Sequence, residues 1–322
     1  MNRKPKTAVL YGGNSSEREV SCLSGMAVSQ TLKSLGYDIV DIDVRDDFVR
    51  ALKVNKIKSA FLALHGAFGE DGQIQSILDG LNIAYTGSGA EASRLGMDKC
   101  ATKRLLVEKG VPTPAWILLK PEDGEARLTE AVSQLGLPVI VKPPADGSSI
   151  GISLADDTTQ LAEAVAKARH YDDCVLLEQF IAGRELTVGI LNGVVLPVIE
   201  IVCDGLFDYL LKYTKGRTKY ELNPHLEDSI AERVRDAALK TYRCIGCSGA
   251  ARVDIRLDDS GTPFVLEINT IPGMTATSLV PKAAAAVGID FPQLCEMMLA
   301  DALEQRSVKT NGEEIGEKKA TA

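Results

Sequence analysis

Two short segments near the end of the 322-residue chain carry the clearest chemistry: Arg252-Val-Asp254 and Glu267-Ile-Asn269. On a β-strand, side chains two apart share a face. Arg252 and Asp254 therefore point one way, and so do Glu267 and Asn269. If Ala250–Leu257 and Pro263–Asn269 pair as strands across the turn Asp258-Asp-Ser-Gly261, three oxygen donors and a guanidinium meet on one surface. Carboxylate and amide oxygens are hard donors suited to Mg²⁺, which keeps waters and substrate phosphates as its other ligands. The plainer alternative is a solvated sheet face with ordinary ion pairs. Against it, acidic and amide groups set into the apolar run from Phe264 to Ile268 are costly unless something binds them.

Lys142 closes a buried-looking run, Val139-Ile-Val-Lys142, and Gly147-Ser148-Ser149-Ile150-Gly151 follows it. Glycines let backbone N–H groups approach a phosphate, and a lysine adds positive charge. The order differs from a Walker A loop, because the lysine precedes the glycines. A plain loop is the alternative reading. Lys99, at a helix start after Met97-Asp98, is a second candidate cation, although a lone lysine there is ordinarily a surface residue.

Gly12-Gly13 follows the first strand, and Glu17 sits in the first turn of the next helix. A dinucleotide fold shows Gly-x-Gly-x-x-Gly at that turn. Here the run is Gly-Gly-Asn-Ser-Ser-Glu, and Glu17 would repel a pyrophosphate, which argues against hydride-transfer chemistry. A carboxylate at this turn suits a substrate ammonium group; its bland role is a favourable charge on the helix dipole. His65, at a strand end, could donate to an anionic substrate group or be purely structural. No Ser, His and Asp, or Cys and His, assemble into a credible nucleophilic set.

The elements that must position these residues alternate at first between strand and helix. Thr7–Gly12, Tyr37–Val44, Phe61–Leu64 and Ile83–Tyr85 read as strands, with helices over 20–35 and 73–81 between them. That alternation implies a parallel sheet with helices on both faces. A helix over 99–109 ends at Gly110, and Pro112 and Pro114 lead into a second region. Beyond it, Glu185–Val202 reads as a hairpin turning at Asn192-Gly193. Residues 203–224 carry no period and read as a long functional loop. Helices follow around Ile230–Thr241 and over Phe291–Leu303, and the charged end after Gln305 reads as a disordered tail. The fold class is α/β, turning to α+β in the C-terminal half.

Composition narrows the choices further. With 45% apolar and 25% charged residues the chain is globular. A net charge of -8 argues against a nucleic-acid partner, which needs a basic face. No apolar run approaches the roughly 18 residues of a membrane span, and no secretory h-region follows Arg3, Lys4 and Lys6. The cytoplasm is the expected compartment. Seven scattered cysteines read as reduced thiols, with Cys244-Ile-Gly-Cys247 read as helix-end packing and a redox motif as the alternative.

Several segments in one order carry a more specific signal: GGNSSEREVS, ALHGAFGEDGQIQ, YTGSG, MDK, PVIVKP, GSSIG, RVDIRL and LEINTIPGMTATSLVP. Together they resemble the D-alanine–D-alanine ligases of the ATP-grasp superfamily, from about Thr7 to Leu303. The resemblance implies three domains: an N-terminal parallel-sheet α/β domain (1–98), a central small domain (99–184) and a C-terminal domain (185–305), followed by the tail (306–322). It implies ATP between the last two, with Lys99 and Lys142 on its phosphates. Glu178, Gln179, Phe180 and Ile181 would receive the adenine, Glu185 the ribose, and Lys212 would close over the site on a mobile loop. Asp254, Glu267 and Asn269 look like ligands of two Mg²⁺ ions, with Mn²⁺ as a substitute, and Arg252 would stabilise charge on the reacting centre. Glu17, Ser148 and Tyr213 resemble the trio around the first D-alanine, with His65 nearby; Ser278 resembles the group holding the second D-alanine's carboxylate. The expected activity is ATP-dependent formation of D-alanyl-D-alanine for peptidoglycan synthesis through an acyl phosphate. D-Lactate or D-serine is the alternative acceptor, and Tyr213, where ester-forming relatives tend to carry Phe, favours the peptide. A catalytically silent binding module is the other class weighed. A homodimer is what the family suggests.

Overall fold

A computed structural model describes residues 4–145, 151–203 and 218–304. Three sheets organise the chain. The first holds β1 (Thr7–Tyr11), β2 (Ile39–Asp43), β3 (Ser59–Leu62) and β4 (Ala84–Tyr85) in the order β2-β1-β3-β4, every pair parallel. Its strands are short and apolar because helices cover them: Arg18–Ser34, Phe48–Val54 and Gln73–Gly80 bury Val28, Leu32, Leu52 and Leu78.

The second sheet is antiparallel, ordered β5-β8-β6-β7, from β5 (Trp116–Leu119), β6 (Val139–Lys142), β7 (Ser153–Ala155) and β8 (Val175–Gln179). Helices Glu125–Leu135 and Thr158–Ala168 pack on it, and the core they close contains residues 117–177 only. Helix Glu125–Leu135 and β5 escape the sequence reading because both are short, and the helix buries just Ala131 and Leu135.

The third sheet is antiparallel, ordered β11-β10-β9-β12-β13, from β9 (Arg184–Leu191), β10 (Val194–Cys203), β11 (Thr218–Leu222), β12 (Ala250–Leu257) and β13 (Pro263–Asn269). The β9–β10 turn falls at Asn192 and Gly193, with φ of 51° and 78°. Two consecutive positive φ angles are what a two-residue hairpin turn requires, and they explain this pair of residue types. The unpatterned stretch expected over 203–224 is corrected at its end, where Thr218–Leu222 pairs with β10. This is an edge strand with Lys219 and Glu221 exposed, so its sequence lacks the apolar signal of a buried one.

One face of the third sheet packs against helix Asp228–Ile245 and takes in Leu106 and Val111 from the region before the second sheet. Its other face shares a core with the first sheet: Val9, Val28, Leu32 and Phe61 meet Leu191, Leu196, Ile199 and Val280. Helix Leu279–Ala285 and a final helix over 291–304 close this core. Among the described residues no helix is long and apolar enough to cross a membrane.

Candidate active site

The β12–β13 register puts Arg252 opposite Asn269 and Asp254 opposite Glu267, with the Val253–Ile268 pair between them, so all four lie on alternate rungs and share one face. The ladder shifts register immediately after Asp254. Such bulges bend a strand and re-aim side chains next to active sites. Asp254 is buried and fully engaged. Its Oδ1 accepts from Thr187 Oγ1 at 2.6 Å and Arg252 Nε at 2.9 Å, and its Oδ2 from Arg252 Nη2 at 2.8 Å and Asn269 Nδ2 at 3.3 Å. Burial works against the Arg252 charge, but Asp254, then Glu267 and Glu70, hold the guanidinium firmly protonated. Three hard oxygen side chains beside a retained cation fit a divalent metal with anionic ligands. A cation taking an Asp254 lone pair must displace one of these four donors.

Lys99 heads helix Lys99–Glu108, where Asp98 caps the end by accepting from the Ala101 N–H at 2.9 Å. That helix start brings the Lys99 ammonium to 3.4 Å from Glu267 Oε2. Lys99, Glu267 and Asn269 line one cleft, joined by Glu70, Met97 and Thr270. The Lys99 N–H also donates to the Pro144 carbonyl, at 3.2 Å, beyond the end of β6. In this way the phosphate-facing candidates Lys99 and Lys142 are brought to neighbouring chain segments.

Lys142 reaches Glu178 Oε1 at 2.8 Å across the β6–β8 pair. The same oxygen lies 3.1 Å from Lys103, a residue the sequence reading passed over. Lys103 is wholly buried, and its ammonium also donates to Thr113 Oγ1 at 2.7 Å. Burial pushes Lys103 down to about 8, against the pull of Glu178, which leaves it charged at neutral pH. The two lysines hold Glu178 below the ordinary carboxylate range despite its burial. A signal for Lys103 existed: positions 99, 103 and 106 fall on one helix face, and Leu106 is core.

Beyond β8, Arg256 organises the segment read as the adenine and ribose site. Its guanidinium donates to the carbonyls of Ile181 and Gly183, at 3.1 and 2.9 Å, and to Glu185 at 3.3 Å. It also lies over the Phe180 ring, 5.7 Å from the centroid. Gln179 is exposed at the end of β8.

At the other end, Glu17 reaches the His65-Gly66 turn: a Cβ on Gly66 would stand 2.8 Å from Glu17 Oε2, and the Gly66 φ of 70° is a backbone that favours glycine. His65 is buried, which pushes it down to about 4, and its Nε2 lies 3.3 Å from Ser24 Oγ. Ser24 Oγ in turn accepts from the Met274 N–H at 3.2 Å. Glu70, also unassigned by sequence, accepts from the Gly66 N–H at 2.8 Å and the Ile271 N–H at 3.3 Å. Ser278 accepts from the Thr275 N–H at 3.0 Å, in the turn just after Met274. Glu17, His65 and Ser278 thus gather where the first and third sheets meet. Ser148, Lys212 and Tyr213 lie outside the described residues.

Residues 105–300 match the family model described as D-ala D-ala ligase C-terminus, and residues 47–88 match D-ala D-ala ligase N-terminus. A D-alanine–D-alanine ligase of Syntrophotalea carbinolica is 47% identical over 302 residues, 93% of this chain and 97% of its own length. That of Pelotomaculum thermopropionicum is 45% identical over 313 residues, covering 94% and 98%. Among solved structures, the Bacillus anthracis D-alanine–D-alanine ligase complexed with ATP superposes with a TM-score of 0.84 at 34% identity, covering 95% of this chain and 99% of the other. Identity at this level over nearly the whole of both chains, with the same ATP-grasp architecture, places the chain in the D-alanine–D-alanine ligase family.

Proposed function

We propose that the protein joins two D-alanine molecules, at the expense of ATP, into D-alanyl-D-alanine for peptidoglycan precursor synthesis. The observation that carries this reading is the paired register of Arg252, Asp254, Glu267 and Asn269, with Lys99 across the same cleft. Phosphoryl transfer needs little covalent help from a protein and much positioning and charge stabilisation. Two Mg²⁺ ions, when bound to Asp254, Glu267 and Asn269, would neutralise charge on the phosphoryl group. Arg252, kept charged by its carboxylate neighbours, stands ready for the same charge. Lys99 and Lys142 hold the phosphates, the strand end from Glu178 to Ile181 receives the adenine, and Glu185 receives the ribose.

One D-alanine presents its carboxylate to ATP while Glu17, with Ser148 and Tyr213, orients it and His65 stands nearby. Ser278 holds the carboxylate of the second D-alanine, whose amine attacks the acyl phosphate and expels phosphate. Lys212 and Tyr213 belong to the segment that closes over the site and excludes water, which an acyl phosphate requires. The domain division at 98, 184 and 305 belongs to this reading, and three separate sheets support it. A cytoplasmic location and a homodimer are further parts of the same proposal.

The test is product identification by mass with ATP, Mg²⁺ and a panel of D-alanine, D-lactate and D-serine. D-Alanyl-D-alanine with stoichiometric ADP and phosphate is expected, and chelation of the metal should abolish it. ATP binding without turnover on D-alanine would sink the reading; a dominant ester or D-serine product would redirect it.

A further inference from the structure

Lys103 and Lys142 approach the same oxygen of Glu178, at 3.1 and 2.8 Å, and all three side chains are buried. Two ammonium groups and one carboxylate leave this cluster one positive charge in excess. Buried charge in excess is unfavourable unless an anion meets it. The two lysines are not equivalent. Lys103 is fully enclosed and anchored twice, by Glu178 and by Thr113, and the Thr113 hydroxyl donates to the Val265 carbonyl of β13 at 2.8 Å. Lys142 ends its strand, next to the segment that leads toward Lys99. Of the two, Lys142 is the one able to turn to a ligand.

Resting on the ligase reading above, we propose that Lys103 is a positioning residue for the nucleotide: it balances the charge of Glu178, so that Lys142 is released to a phosphate. Without Lys103, Glu178 would have Lys142 as its single close cation among the described residues, and the phosphate would compete with a buried ion pair for the same ammonium. Lys103 also ties three parts of the nucleotide region together, because its helix begins at Lys99, Glu178 lies in the second sheet and Val265 in the third.

The experiment compares ATP and adenosine binding, by equilibrium titration, in the full-length protein and its variants. Lys103→Met keeps the chain length and removes the charge. It should weaken ATP about 10–100-fold, the range of one charge-assisted contact, and leave adenosine within about threefold. KM for D-alanine should stay unchanged. Lys103→Arg, which keeps the charge, should restore most of the ATP affinity. Adding Glu178→Gln to Lys103→Met should recover the preference for ATP over adenosine relative to Lys103→Met alone, because Lys142 then loses its competing partner while any adenine contact of Glu178 is lost from both ligands equally. Equal losses for ATP and adenosine in Lys103→Met, or no recovery of that preference in the double variant, would overturn the proposal in favour of a packing role. If Lys103→Met does not fold, Thr113→Val, which keeps the side-chain shape and removes the hydroxyl that holds the ammonium and meets the Val265 carbonyl, should shift ATP in the same direction by a few-fold and spare adenosine; no shift there would also overturn it. A wild-type protein that binds ATP and makes D-alanyl-D-alanine while these variants fail to discriminate removes this proposal alone. A wild type that does neither removes the ligase reading itself.

Discussion

The first and third sheets are joined differently from the second sheet and its neighbours. The first and third share one apolar core, in which Val9, Val28 and Phe61 touch Leu191, Leu196 and Val280. Backbone-directed clips reinforce it: Ser24 to Met274, Glu70 to Ile271, and Ser248 Oγ to the Gly87 carbonyl at 2.8 Å. The second sheet closes its own core, and polar contacts are among those that tie it to the rest: Lys103 to Glu178, Arg256 to the Ile181 carbonyl just past β8, and the Lys99 N–H to the Pro144 carbonyl. Apolar burial is non-directional and resists partial separation, whereas ion pairs and long side chains exchange partners readily. The amino-acid end of the candidate site therefore stands on a shared apolar core, and the nucleotide end where two separately cored sheets meet through polar contacts.

The largest expected effect separates the two ends kinetically. Asp254→Asn should cut turnover about 10²–10³-fold by disturbing charge stabilisation, with ATP affinity retained. Folding should survive, because Asn keeps the shape and Glu267 and Glu70 still face Arg252. Lys142→Ala should do the reverse, raising the KM for ATP about 10–100-fold. If both variants lower the same parameter, the division of labour is wrong; steady-state kinetics at varied ATP decides it.

Stability gives the next contrast. Phe61→Ala, in the shared core, should cost about 3–5 kcal/mol, and Leu177→Ala, in the second sheet's own core, about 2–5 kcal/mol. The chain has one tryptophan, Trp116 on β5, so fluorescence reports the second sheet while far-ultraviolet circular dichroism reports the whole. Leu177→Ala should move mainly the fluorescence transition and Phe61→Ala mainly the dichroism transition. Identical shifts by both probes would mean that the molecule unfolds as one unit.

Acid should loosen the joint body through His65. Its imidazole is pushed down to about 4 by burial, while the unfolded chain titrates near 6.5. The unfolded state then binds more protons between those values, so stability falls as pH drops through that window, by up to about 3 kcal/mol. Glu70, pushed up to about 8 by burial and by Glu17, slopes the opposite way, losing stability as pH rises. The comparison is thus between wild type and His65→Gln in urea melts from pH 6.5 to 4, where the variant should lack the His65 share of the slope. The smallest effect belongs to the rim of the same body. Lys4 and Glu296 are both about two-fifths exposed at 3.3 Å, so Lys4→Ala should change stability by no more than about 0.5–1 kcal/mol, less in high salt.

Much of this was legible from residue order. Alternation within 250–257 and 263–269 gives the shared faces of Arg252 with Asp254 and of Glu267 with Asn269, because strand geometry has a period of two. Asn192-Gly193 announces its turn because few other residues tolerate its backbone. Helix Phe48–Val54, β7 and helix Leu279–Ala285 are short and carry little periodic signal in the sequence. Lys103, Thr187, Glu70 and Arg256 were passed over for another reason: a lone polar residue gains meaning from the partner it meets across the fold.

Local rules, acting over a few residues, determined which side chains share a strand face, where turns fall and which segments match a known family. Tertiary structure alone decided that Asp254 is saturated by four donors, that two lysines converge on one carboxylate, and that the first and third sheets share a core. Apart from Arg252 and Asn269 beside Asp254, those contacts join residues dozens to hundreds of positions apart, and only packing, which balances burial against unpaired charge, selects them.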